Sequence, residues 1–141
     1  MIFYTDSLAR ISADNLGGFF VGWPNPPSPE IHLKLLENSE RVVLALDEET
    51  GKVVGFITAI SDGVLSAYIP LLEVLPAYRG RGIGQELVRR MLSKLKGFYM
   101  VDLICDPEAQ PLYERLGMKK ASGMMLRNHE NQAGESGGRP D

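Results

Sequence analysis

A mixed α/β domain built on one central sheet is the fold this sequence predicts, and three features predict it. Strand-like and helix-like patterns follow one another in the order β-α-α-β-β-β-α-β-α-β. The segment Val74-Leu75-Pro76-Ala77-Tyr78-Arg79-Gly80-Arg81-Gly82-Ile83-Gly84 runs from a strand end through a glycine-rich turn into a helix. The chain has 141 residues, enough for one domain with a real core.

Taken in order, Ile2 to Thr5 suits a first strand. Ser12 to Val21 has helical character, with Ser12 as its cap. Gly22-Trp23-Pro24-Asn25-Pro26-Pro27-Ser28-Pro29 excludes both helix interior and central strand, so a stiff, irregular loop is expected there. Pro29 and Glu30 open a second helix that ends near Ser39. Arg41 to Leu46 and Lys52 to Ile60 read as antiparallel strands joined by the turn Asp47-Glu48-Glu49-Thr50-Gly51. A turn at Ser61-Asp62-Gly63 leads to a long strand from Leu65 to Val74.

The helix after the glycine turn has the firmest pattern. Ile83, Leu87, Val88, Met91, Leu92 and Leu95 fall at helical spacing, and polar residues hold the other face. Gly97 stops it. Phe98 to Cys105 forms a further strand, a helix follows, and Met124 to Arg127 is expected as a short last strand. The domain thus spans 1–127. Residues 128–141 are polar and Gly-rich without apolar periodicity, and are expected to be a disordered tail.

Composition narrows the function. The chain carries 15 Lys and Arg against 18 Asp and Glu, a net charge of −3, which gives no general support for nucleic-acid binding. A single cysteine, Cys105, allows no internal disulfide and suggests a reducing, cytoplasmic setting. No apolar run is long enough to cross a membrane, and no signal peptide is visible at Met1 to Asp6. No Cys/His cluster has metal spacing; His32 and His129 are far apart.

A strand–glycine turn–helix junction binds phosphate, because backbone N–H groups converge on an anion at the positive end of the helix dipole. No strong capping side chain precedes Ile83, so those N–H groups stay free. A P-loop fails for want of Lys-Ser or Lys-Thr after Gly84. A dinucleotide fingerprint fails because Gln85 stands where its third glycine belongs, which also disfavours a nucleotide-binding regulatory module. R-x-x-G-x-G is met by Arg79, Gly82 and Gly84.

Val74 through Leu87 resembles motif A of the GNAT superfamily, the acetyl-CoA-dependent N-acetyltransferases. Asp106-Pro107-Glu108-Ala109-Gln110-Pro111-Leu112-Tyr113-Glu114-Arg115-Leu116-Gly117-Met118 resembles the family's motif B, with Ala109, Leu112, Tyr113, Glu114, Arg115, Leu116 and Gly117 matching in register. The resemblance spans about residues 40–120. It implies a central mixed, mostly antiparallel sheet flanked by helices, with coenzyme A in the gap between two splayed strands. It implies a homodimer only by analogy with relatives that pair through late strands.

The resemblance also implies roles. Backbone from Leu72 to Val74 pairs with pantetheine, and one N–H polarises the thioester carbonyl. Backbone of Arg79, Gly80, Arg81, Gly82, Ile83 and Gly84 takes the pyrophosphate; the side chains of Arg79 and Arg81 either add charge there or are solvated. Tyr113 matches the tyrosine that protonates the leaving thiolate. Asp106 stands in place of the family's asparagine, beside the cofactor position Ala109, and either contacts the cofactor or caps the helix that Pro107 begins. Glu73, one residue before Val74, is the candidate general base or binder of the acceptor ammonium; a surface carboxylate is the alternative. Tyr68, Ser66, Phe19, Phe20 and Trp23 are candidates to line the acceptor side or to pack the core. Two functions follow: an N-acetyltransferase using acetyl-CoA as cosubstrate and a small-molecule or peptide amine as acceptor, or a non-catalytic acyl-CoA sensor on the same fold.

Overall fold

β-Branched and apolar residues crowd two central segments, and these form the middle of the sheet in the computed structural model, which describes residues 1–138. β2 (Arg41–Asp47) and β3 (Val53–Ser61) pair antiparallel across the expected turn. β1 (Ile2–Thr5) joins the outer side of β2. The other side of β3 takes β4 (Ser66–Tyr68) and then β5 (Leu72–Val74), both antiparallel. β6 (Met100–Asp102) pairs with β4 in parallel. The sheet is therefore six-stranded and mostly antiparallel, in the order β1-β2-β3-β4-β6 with β5 beside β3.

Helices cover both faces. α1 (Pro29–Asn38) starts on Ser28, whose side chain accepts the Ile31 N–H at 3.1 Å, with Pro29 at the first helical position. Its buried His32 packs 4.4 Å from the Phe56 ring. The neighbouring Gly55 faces the opposite way, toward α2 (Ile83–Lys94). A Cβ on Gly55 would lie 3.1 Å from Leu87 and 3.3 Å from Ile83, so glycine is what lets α2 settle on β3. The short α3 (Gln110–Glu114) carries Tyr113. No helix of the described residues is long and apolar enough to cross a membrane.

Three elements depart from the sequence-based expectation. Ser12 to Val21 is not a helix: only Ala13–Asn15 makes a 3-10 turn. Gly17 and Gly18 weaken helix there, and Gly18 and Phe20 take positive φ of 92° and 63°. The long strand from Leu65 to Val74 is two strands. Ile60 pairs with Tyr68 and Ile57 with Leu72, so three residues oppose two between those rungs. The extra residue is a bulge, and it contains Pro70, which has no N–H to lose. Finally, no strand forms at Met124 to Arg127. Among the described residues, 119–127 make no backbone–backbone hydrogen bond, and Met124 and Leu126 are exposed. Four residues beside Gly123 found no neighbour to pair with.

In the polar tail, His129–Asn131 form a 3-10 turn and the Gln132 side chain accepts the Asn25 N–H at 2.8 Å. Ala133 is buried. Residues 139–141 of that tail lie outside the described residues.

Candidate active site

The bulge decides which backbone groups are free. Before it, odd residues face β6, ending with the Ile69 N–H bonded to Asp102 at 3.0 Å. After it, odd residues face β3: Thr58 donates to Leu71, and Leu75 donates to Val54, with Glu73 paired to Phe56 between them. Leu72 and Val74 therefore point their N–H and C=O groups away from β3. No strand pairs with them there, because β6 has ended its ladder at β4. The sheet splits at that point, and β5 offers a bare edge.

A phosphate cradle adjoins this edge. After a 3-10 turn at Pro76–Tyr78, the chain enters α2 through Gly82, at φ 80°. That left-handed conformation strains any residue with a Cβ. No side chain caps α2, and its first backbone bond is from Glu86 to Gly82 at 3.1 Å. The N–H groups of Ile83, Gly84 and Gln85 are left for an anion. Both nearby arginines are folded onto the loop: Arg79 donates to the Val74 carbonyl at 2.9 Å, and Arg81 stacks 5.1 Å from the Tyr78 ring centroid. Glu86, in the first turn, is bound by Arg89 and Arg90, each at 2.6 Å, and these partners hold its pKa near 2.

On the face of the sheet that carries α1, Glu73 sits opposite Phe56. Its two carboxylate oxygens accept the backbone N–H groups of Phe20 at 2.8 Å and Val21 at 3.2 Å. This clip fastens the loop containing Trp23 to β5. A cleft of about 210 Å³ lies between them, lined by Phe20, Val21, Trp23, Phe56, Leu71, Leu72, Glu73 and Arg79. Phe19 is buried in the core, while Ser66 and Tyr68 lie outside this lining. Behind the wall, His32 packs against Phe19, Phe20 and Phe56 with neither ring nitrogen hydrogen-bonded. Burial lowers its pKa to about 4.

Tyr113 is 8% exposed. Burial first, and then the neighbouring Cys105, push its pKa to about 12, so it is a phenol at neutral pH. Burial, then Asp106, also raises the Cys105 thiol, which suits an inert packing role. Asp106 takes the capping position of the Pro107–Ala109 turn, yet its carboxylate makes no capping bond and is exposed; Ala109 is half-buried in that turn. Sequence reasoning missed the Glu73 clip and the bulge; Pro70 inside a strand pattern was the available signal for the latter.

A split sheet with an unpaired strand edge beside an uncapped helix start marks the class of this α/β protein. The chain belongs to the GNAT acetyltransferase family, whose model matches residues 8–118. A candidate acetyltransferase from Deinococcus radiodurans R1 is 49% identical and superposes with a TM-score of 0.90, covering 94% of this chain and 92% of that one. A GNAT-family acetyltransferase from Streptococcus pneumoniae TIGR4 is 30% identical with a TM-score of 0.73, covering 91% and 98%. The serotonin N-acetyltransferase 2, chloroplastic, of Oryza sativa subsp. japonica is 31% identical over 69% of this chain and 50% of its own. The chain spans only 50 to 59% of the length of curated relatives such as this one. No cluster of metal-ligating side chains occurs among the described residues.

Proposed function

We propose that this protein is an N-acetyltransferase that moves an acetyl group from acetyl-CoA to a primary amine by direct attack in a ternary complex. The bare edge of β5 beside the uncapped start of α2 carries this reading. When bound, acetyl-CoA supplies an acyl group activated as a thioester. The N–H groups of Leu72 and Val74 are free to bind amide carbonyls and to stabilise negative charge on the acyl oxygen. The N–H groups of Ile83, Gly84 and Gln85 suit the pyrophosphate, with the backbone of Arg79, Gly80, Arg81 and Gly82 shaping the loop.

Glu73 removes the proton from the incoming ammonium, directly or through one water, and the amine nitrogen then attacks. Two of the roughly four acceptor sites of its carboxylate hold the loop, and the rest face the cleft. Tyr113 serves the leaving sulfur. With a pKa of about 12, it holds a thiolate by hydrogen bonding more readily than it gives up its proton to a thiol of pKa about 8.5.

Thermal unfolding with acetyl-CoA, coenzyme A and NAD, followed by thiol release with added amines, tests the proposal. A ligand at about 100 times its Kd adds roughly 2.7 kcal/mol, several degrees for a domain of this size. Stabilisation by the first two and not by NAD, with amine-dependent thiol release, is expected. Stabilisation without release for any amine favours the sensor. No stabilisation at millimolar ligand rejects both. The relatives' names do not choose the acceptor: one is named for serotonin, and another, from an uncultured soil sample, for aminoglycosides.

A further inference from the structure

We infer that residues 128–134 form a strap that holds the Trp23 wall in place for the acceptor, with Gln132 as its positioning residue. This rests on the cleft being the acceptor side of the proposed reaction. Trp23 is followed by Pro24-Asn25-Pro26-Pro27, and proline has no N–H. Asn25 therefore carries the one backbone donor between Trp23 and Ser28. That donor is taken: the Gln132 side-chain oxygen accepts it at 2.8 Å, across 107 positions of sequence. The loop is thus fastened at two points. From inside the cleft, Glu73 holds the Phe20 and Val21 N–H groups; from outside, Gln132 holds Asn25. Trp23 lies between the two fastenings, and the prolines beside Asn25 have a fixed φ that passes its position along the loop.

The segment that presents Gln132 is itself braced. The Asn128 side chain accepts the Glu130 N–H at 3.2 Å and so opens the 3-10 turn at His129–Asn131. The Asn131 side chain accepts the Ser136 N–H at 3.1 Å and donates to the Gly137 carbonyl at 2.8 Å, closing the chain behind Gln132. Ala133 is buried. Gly134, at φ 74°, lies so close to α1 that a Cβ there would stand 3.1 Å from Ile31. The strap therefore meets the chain on both sides of the Ser28 cap, at Asn25 and at Ile31. Among the described residues, the bond from Asn25 to Gln132 is the one hydrogen bond that joins this segment to the rest of the chain. None reaches β5 or the start of α2, so the strap acts on the acceptor side alone.

The full chain is compared with Gln132→Leu, which removes the accepting oxygen, with Gln132→Glu, which keeps one, and with Gly134→Val, which lifts the segment off Ile31. Amide exchange is followed by NMR at Phe20, Val21 and Asn25, and acrylamide quenching at Trp23, the chain's single tryptophan. Gln132→Leu and Gly134→Val are expected to speed exchange at Phe20 and Val21 as well as at Asn25, and to expose Trp23 to the quencher. Gln132→Glu is expected to restore both readings. With the amine that gives the fastest thiol release in the unaltered chain, Gln132→Leu should raise the amine KM roughly three- to tenfold, as loss of one hydrogen bond allows, while kcat and the Kd of acetyl-CoA hold. Faster exchange confined to Asn25, or an amine KM and an acetyl-CoA Kd that rise together, overturns the inference. Exchange and quenching need no reaction, so they decide the strap even where no amine releases thiol and the catalytic reading falls.

Discussion

The two sides of the split sheet are built from different material. The side assigned to the cofactor is main chain: the odd-even alternation of β5, the positive φ of Gly82 and the uncapped N–H groups of α2. The side assigned to the acceptor is side chain: an aromatic wall, one carboxylate, and a loop with a non-glycine residue at φ 63°. Main-chain recognition tolerates many side chains and demands a fixed backbone. Side-chain recognition is re-tuned by one substitution. One half of such a site stays constant while the other changes acceptor.

The sharpest test of this contrast is acid. His32 underlies the aromatic wall with a pKa near 4, against an ordinary 6.5. The folded protein keeps it neutral. As pH falls below about 6.5 the unfolded chain takes up the proton first, so stability is full above that value and declines down to about pH 4. A shift of that size is worth roughly 3 kcal/mol. Urea unfolding at neutral and acid pH should show it, and His32→Leu should flatten the decline. An unchanged decline in that variant assigns the acid sensitivity elsewhere.

Next in size is Tyr113→Phe, expected to lower kcat about 100-fold while acetyl-CoA affinity, measured by calorimetry, stays put. Glu73→Gln should act comparably on kcat/KM, and the loss should fall on kcat as well as on KM, which a purely structural clip would not do. A smaller effect is expected for Gly82→Val. Its Cβ meets open space, so the cost is backbone strain of about 1–2 kcal/mol, read as weaker acetyl-CoA binding and a lower Tm. Smallest is Arg79→Ala, a few-fold at most in Kd, because its guanidinium already serves the Val74 carbonyl. A loss larger than for Gly82→Val would mean that side chains carry the cofactor side too.

The same contrast explains what was legible in the sequence. The glycine turn, the α2 stripe and the Tyr113 segment are local patterns, and the strand order, the Asp47–Gly51 turn and the start of α1 at Pro29 follow from local chemistry. The Glu73 clip joins residues 53 and 52 positions apart, and nothing local announces it. The apolar spacing of Ser12 to Val21 favours a helix, whereas the folded chain turns at Gly17 and Gly18. Met124 to Arg127 stays out of the sheet because a short apolar run makes a strand only where a neighbouring edge is in reach.

The single extra residue around Pro70 makes this strand a counting device. Straightening the bulge with every residue kept would slip the register by one and exchange the two parities, turning the Leu72 and Val74 amides toward β3 and the Glu73 amide outward, and carrying the carboxylate to the opposite face. The Asp62–Leu65 turn, whose tip is exposed, has no such phase to keep. Descendants of this chain should therefore gain and lose residues freely at that turn, yet keep the phase of Leu72, Glu73 and Val74 against β3, whichever amine they come to use.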